Sequence, residues 1–96
     1  MITSKQRAKL RGMANGIDTI LQVGKGGIGD ALIKQVDDAL TAREIIKMRA
    51  LDNSPAFSRE AAQEIAEKTH SDIVQVIGSR FVLYRRNNKE PKIIID

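Results

Sequence analysis

The sequence predicts a mixed α/β domain of α+β character, with three helices packed with a four-stranded mixed sheet in the order αβαβαββ. Three observations carry that expectation. Apolar residues recur at helical spacing in three segments and alternate in short β-rich runs between them. A glycine-rich stretch, GKGGIG at 24–29, separates the first β-rich run from the second helical segment. Gly78-Ser79 then divides the last β-rich stretch in two, as a type II′ hairpin turn does.

The first helix starts at Thr3, where Thr3-x-x-Gln6 fits a capping box, and places Leu10, Met13, Ala14 and Ile17 on one stripe. Basic residues flank that stripe in i, i+4 pairs, Lys5 with Lys9 and Arg7 with Arg11. Asn15-Gly16 ends the helix. TILQVG, 19–24, reads as the first strand. From Asp30 to about Thr41, Leu32, Ile33, Val36, Ala39 and Leu40 share a face, with Asp37 and Asp38 opposite. EIIKMRAL, 44–51, sets Ile46, Met48 and Ala50 against Lys47 and Arg49, the alternation of a strand. Asp52-Asn53-Ser54-Pro55 is a turn cluster, and Ser58 is the expected cap of a third helix with Ala62, Ile65 and Ala66 inward. Met13 and Met48 are core candidates. DIVQVIGSRFVLYRR, 72–86, forms the final strand pair, parallel crossovers preceding and an antiparallel fourth strand closing the sheet. The tail, 87–96, reads as irregular at Asn87-Asn88 and Pro91, while Ile93, Ile94 and Ile95 could dock. The domain is therefore expected over 1–86 and the tail over 87–96.

Ninety-six residues suit one compact domain able to bury roughly 65% of its unfolded surface. Nothing near the N-terminus has the apolar core of a signal peptide, and no run is long enough to span a bilayer, so a soluble cytoplasmic protein without membrane contact is expected; a monomer is the expected state. Without cysteine there is no disulfide, thiolate metal site or Cys nucleophile. The net charge of +4 is unevenly spread. Lys5, Arg7, Lys9, Arg11 and Lys25 meet only Asp18 in the first 25 residues, and Arg80, Arg85, Arg86, Lys89 and Lys92 crowd the end. Basic ends around a mildly acidic middle fit a polyanion-binding face, if folding brings them together.

The glycine stretch is the sharpest local signal. It satisfies G-x-G-x-x-G through Gly24, Gly26 and Gly29, and G-x-x-G through Gly24 and Gly27. A dinucleotide-binding reading gains from the strand before it, the helix after it and Asp52 further on. It loses on size, because one short unit ends in a hairpin where a second half and a catalytic partner would be needed. Walker A is excluded, as no Gly-Lys-[ST] is present. A polynucleotide reading uses more of the string: absent Cβ atoms let a sugar-phosphate backbone approach, the second helix offers its N-terminal N–H groups, and Lys25 adds a mobile charge.

Other chemistry finds little support. His70 is the only histidine and falls at the end of the third helix; with Ser71 and Asp72 it is a sequence neighbour set, not a triad. Glu60, Glu64 and Glu67 form a solvated face, and no spacing suits a metal. Neither a cofactor nor an enzymatic activity is expected. With only Phe57, Phe81 and Tyr84 as aromatics, a base-stacking platform is disfavoured, and no helix-turn-helix is present. Recognition should fall on phosphates, sugars and shape.

The segments TSKQRAKLRGMA, LQVGKGGIGDALIKQVDDAL, AREIIKMRAL and VQVIGSRFVLYRR together resemble the CRM domain (chloroplast RNA splicing and ribosome maturation), in its single-domain bacterial YhbY-like form, from residue 2 to residue 86. The resemblance implies a fold related to the C-terminal domain of translation initiation factor three, and RNA binding through the G-x-x-G loop, here Gly24, Lys25, Gly26 and Gly27, with nearby basic surface. From the charge map, Lys5, Arg7, Lys9, Arg11, Arg85 and Arg86 are the expected contributors to that surface. Bacterial relatives are linked to precursors of the large ribosomal subunit, and plant relatives with several copies to group II intron splicing. One copy without a targeting segment favours the bacterial role, with ribosomal RNA as partner. Gly29 stands where many relatives carry a polar helix cap. A module that meets an acidic protein partner is the remaining alternative.

Overall fold

A computed structural model describes residues 2–54 and 57–94. The elements are α1 (Ser4–Ala14), β1 (Thr19–Val23), α2 (Asp30–Arg43), β2 (Ile45–Ala50), α3 (Ser58–Thr69), β3 (Asp72–Ile77) and β4 (Arg80–Tyr84). This is the expected αβαβαββ order. Strands align as β1-β2-β4-β3, with β1 and β2 parallel and β4 antiparallel to both of its neighbours. The sheet is mixed because β4, reached by a hairpin, slots between β2 and β3, which a helical crossover joins.

Alternation along the strands sends side chains to two separate cores. Ile46, Met48, Phe81, Leu83 and Val23 meet Val36 and Leu40 of α2 and Ala61, Ala62 and Ile65 of α3, all fully buried. On the other face Ile45, Val74, Val82 and Tyr84 meet Leu10 and Ala14 of α1. Each helix is held by its apolar stripe more than by propensity. Thr3 caps α1 in a reciprocal box, its hydroxyl accepting from the Gln6 N–H at 3.1 Å while the Gln6 side chain accepts from the Thr3 N–H at 2.9 Å. The hairpin turns at Gly78, whose φ of 58° puts the residue without a Cβ where a primed turn needs positive φ.

Three expectations are corrected. Met13 is 42% exposed, because α1 buries only Leu10 and Ala14 fully and Met13 lies at the rim of that contact. Ser58 does not cap α3: the N-cap is Phe57, and the Ser58 hydroxyl donates instead to the Gly78 carbonyl at 2.5 Å, tying the helix start to the hairpin. Glu44 is not a strand residue. It ends α2 at φ 66°, and its side chain is completely buried. Pro55 and Ile95, which figured in the turn and tail expectations, lie outside the described residues.

Glu44 organises the tail. One carboxylate oxygen accepts from the backbone N–H of Lys92 and Ile93 at 2.5 and 2.7 Å, the other from Asn87 at 2.7 Å. Ile93 packs on the α1 core, whereas Ile94 is exposed. Burial alone would raise the Glu44 carboxyl; the three N–H donors and the Arg86 charge outweigh it and hold the group below its ordinary value of 4.5.

Candidate nucleic-acid interface

The glycine loop leaves the sheet where β1 ends. Val23 accepts from the Leu51 N–H at 2.9 Å, and a Cβ on Gly24 would lie 3.7 Å from the Leu51 side chain, so Gly24 sits flat against the end of the sheet. The chain then reverses in a turn closed by Gly27 N–H donating to Gly24 C=O at 3.0 Å, with Lys25 and Gly26 at the exposed tip. Gly27 has φ 71°, the one position in the loop where a positive φ is required. Gly26 faces open space. Beyond the turn, Gly29 is the N-cap of α2 and offers no side-chain oxygen, so the first N–H groups of the helix lack a side-chain acceptor. The loop therefore presents a bare backbone, one lysine and a helix N-terminus to solvent. Asp30 in the first turn partly offsets the helix dipole there.

These features separate the two phosphate readings. In a dinucleotide fingerprint the third glycine permits close packing of helix on strand. A Cβ at Gly29 would meet nothing within 4 Å, so no such contact exists here. Among the described residues the sheet also has four strands, too few for the two halves of a dinucleotide-binding domain.

The other expected contacts divide into two groups. Lys5, Lys9 and Arg11 are exposed on α1, and Arg86 is exposed just past β4. Arg7 is half-buried, its Nε donating to the Ile73 carbonyl at 3.3 Å on β3. Arg85 is bound into the fold. One terminal nitrogen donates to Asp37 Oδ1 at 2.6 Å and the Thr69 carbonyl at 2.8 Å; the other donates to the Asp37 carbonyl and Thr41 Oγ1, each at 2.9 Å. It clamps α2, α3 and β4 together. Lys68 is paired with Glu64 at 3.0 Å.

Among the described residues no catalytic geometry is assembled around His70. That residue ends α3 in the left-handed region at φ 55°, and the Ser71 hydroxyl pairs with Thr69 Oγ1 at 2.9 Å. Among the described residues no group of three or more His, Asp or Glu side chains is placed to hold a metal, and no helix is long and apolar enough to cross a membrane. Phe81 and Tyr84 are buried, leaving Phe57 as the exposed aromatic.

Residues 2–85 match the family model described as the CRS1 / YhbY (CRM) domain. The chain is 40% identical over 93 residues to Bacillus subtilis YqeI, named as a probable RNA-binding protein, with 97% of each chain covered. It is 27% identical over 92 residues to a Haemophilus influenzae protein named as RNA-binding, covering 96% of this chain and 92% of the relative. The solution structure of the hypothetical Staphylococcus aureus protein SAV1595, described as a candidate RNA binder, superposes with a TM-score of 0.83 at 45% identity over the whole of both chains. With the glycine loop, the β1-β2-β4-β3 sheet and these likenesses together, the chain belongs to the CRS1/YhbY (CRM) family.

Proposed function

We propose that this protein is a non-catalytic RNA-binding factor that acts in the cytoplasm on precursors of the large ribosomal subunit. The observation that carries the reading is the loop: Lys25 rides at the exposed tip of a glycine turn that leads into a helix N-terminus without a side-chain cap. Each of these parts favours an anion, and a backbone without Cβ atoms admits a chain of phosphates as readily as a single one. Relatives named as RNA-binding support the polynucleotide as ligand. Folded ribosomal RNA offers several phosphates at once, which suits a small domain whose buried aromatics leave little surface for base stacking.

The double substitution Lys25→Asp with Gly26→Asp tests the reading directly. Gly26 has open space around it, so the fold should persist while two carboxylates replace the cradle. RNA affinity should fall by at least about tenfold, with log affinity in the wild type declining by about 0.7 to 0.9 per phosphate contact against log salt. In lysate gradients the wild type should sediment with large-subunit precursors at low salt and leave them at high salt. Unchanged RNA binding by the folded double variant would sink the loop reading, and a protein absent from the particles at every salt would sink the ribosomal one.

A further inference from the structure

α1 covers only part of its sheet face. The apolar cluster beneath it takes in Ile45, Val74, Val82 and Tyr84, while Gln22, Ile77 and Arg80 on the strands are exposed. The rest of that face is given by strand alternation and register: Gln22 beside Arg49, Arg49 beside Arg80, Arg80 beside Ile77 in one row, and Lys47 beside Val82 and Val82 beside Gln75 in the next. A shallow depression of about 190 Å³ opens there, lined by Asn15, Lys47, Gln75, Ile77, Arg80 and Val82. The first row begins two residues before Gly24, so this face runs directly into the glycine loop.

The charges on it are arranged against stability. Arg49 and Arg80 are direct cross-strand partners, and like charges in that relation destabilise a sheet. The ion pairs found among the described residues, Lys34 with Asp38, Lys68 with Glu64 and Arg85 with Asp37, include none of Lys47, Arg49 and Arg80. Arg49 Nε is buried without a hydrogen-bond partner. A guanidinium left short of an acceptor beside a second guanidinium calls for an anion.

We propose that this open half of the sheet is a second contact site for the RNA sugar-phosphate backbone, continuous with the loop and resting on the RNA-binding reading above. Arg49 and Arg80 hold phosphates, Lys47 adds charge, and the amides of Asn15, Gln22 and Gln75 reach sugar hydroxyls. The one aromatic side chain facing this way, Tyr84, is 3% exposed beneath α1, so the site grips backbone and does not stack unpaired bases.

The test compares binding of a fluorescein-labelled RNA hairpin of mixed sequence across a salt series, with thermal melting of each protein. The variants are Arg49→Gln with Arg80→Gln, Lys25→Asp with Gly26→Asp, and Lys68→Gln as a remote control. Loss of the arginine pair should lower affinity at least about tenfold and shallow the salt slope by about 1.4 to 1.8. It should also leave Tm equal or higher, because a repulsion has been removed. Arg49→Lys with Arg80→Lys should recover part of the affinity. If affinity and slope match the wild type while the loop variant loses binding, the face is idle and the RNA function stands without it. A lowered Tm with binding lost only in step with unfolding would make the arginines structural and overturn the site. A wild type that does not bind RNA at all would remove the functional reading itself.

Discussion

Arginines at the two ends of the sheet live in opposite circumstances. At one end Arg85 makes four hydrogen bonds to α2 and α3 and is a structural rivet. Near the other end Arg49 and Arg80 face each other across β2 and β4, and neither is in an ion pair among the described residues. The same residue type therefore stabilises one end and strains the other. A cation is available to a ligand according to what already holds it, and no count of basic residues along a chain reveals that.

The largest expected effect comes from breaking the rivet. Arg85→Gln should cost about 2 to 4 kcal/mol, because Asp37 loses its partner and the part-buried Thr69 carbonyl loses its donor. Urea unfolding measures it, and RNA affinity of the remaining folded protein should stay within about twofold, a smaller change than two lost phosphate contacts would produce. A large affinity loss with little change in unfolding would reverse the contrast between the two ends.

Next comes the carboxylate at the rivet's end of the sheet. Glu44→Gln should cost about 1 to 3 kcal/mol and free the tail, visible as faster amide exchange at Lys92 and Ile93. Because the folded carboxyl sits below its ordinary value, its stabilisation is complete above about pH 4.5 and is lost as the pH falls through the lower, folded value. Wild-type stability should therefore decline on acidification, and the Gln variant should decline less steeply. Backbone and side chain can be separated here too: with φ at 66°, Glu44→Gly should be about 1 kcal/mol less damaging than Glu44→Ala.

The smallest effect on stability belongs to the loop. Lys25→Ala removes an exposed side chain at the tip of a turn and should change the unfolding free energy by less than about 0.5 kcal/mol while weakening RNA binding. If it destabilised the fold as Arg85→Gln does, the distinction between a structural and a ligand-facing end would collapse.

What could be read from the chain follows the range of the physics involved. Helix periods, the Thr3 box, the hairpin glycine and the glycine turn are local demands, and local demands are written in neighbouring residues. Ser58 and Met13 misled because a local rule was overridden, in one case by the hairpin carbonyl and in the other by how far α1 reaches across the sheet. Glu44 beside Ile45 looks like the polar side of a strand; nothing near it announces that its three donors come from residues 87 to 93. For the candidate site, the loop glycines and the α1 cations were visible. Lys47 and Arg49 read as the polar side of a strand and Arg80 only as one of the basic residues near the end; the insertion of β4 between β2 and β3 sets them side by side.

That insertion has a consequence for how the protein is made. β4 is the last strand to be synthesised and yet lies inside the sheet, between two strands finished earlier. Until it arrives, β1 and β2 are an isolated parallel pair and β3 has no neighbour, and two strands alone are marginal in water. Both cores lack a central wall, Phe81 and Leu83 for one and Val82 and Tyr84 for the other. Chains truncated before residue 80 should accordingly fail to fold, and the nascent domain should close in one late step once its final hairpin has cleared the ribosome.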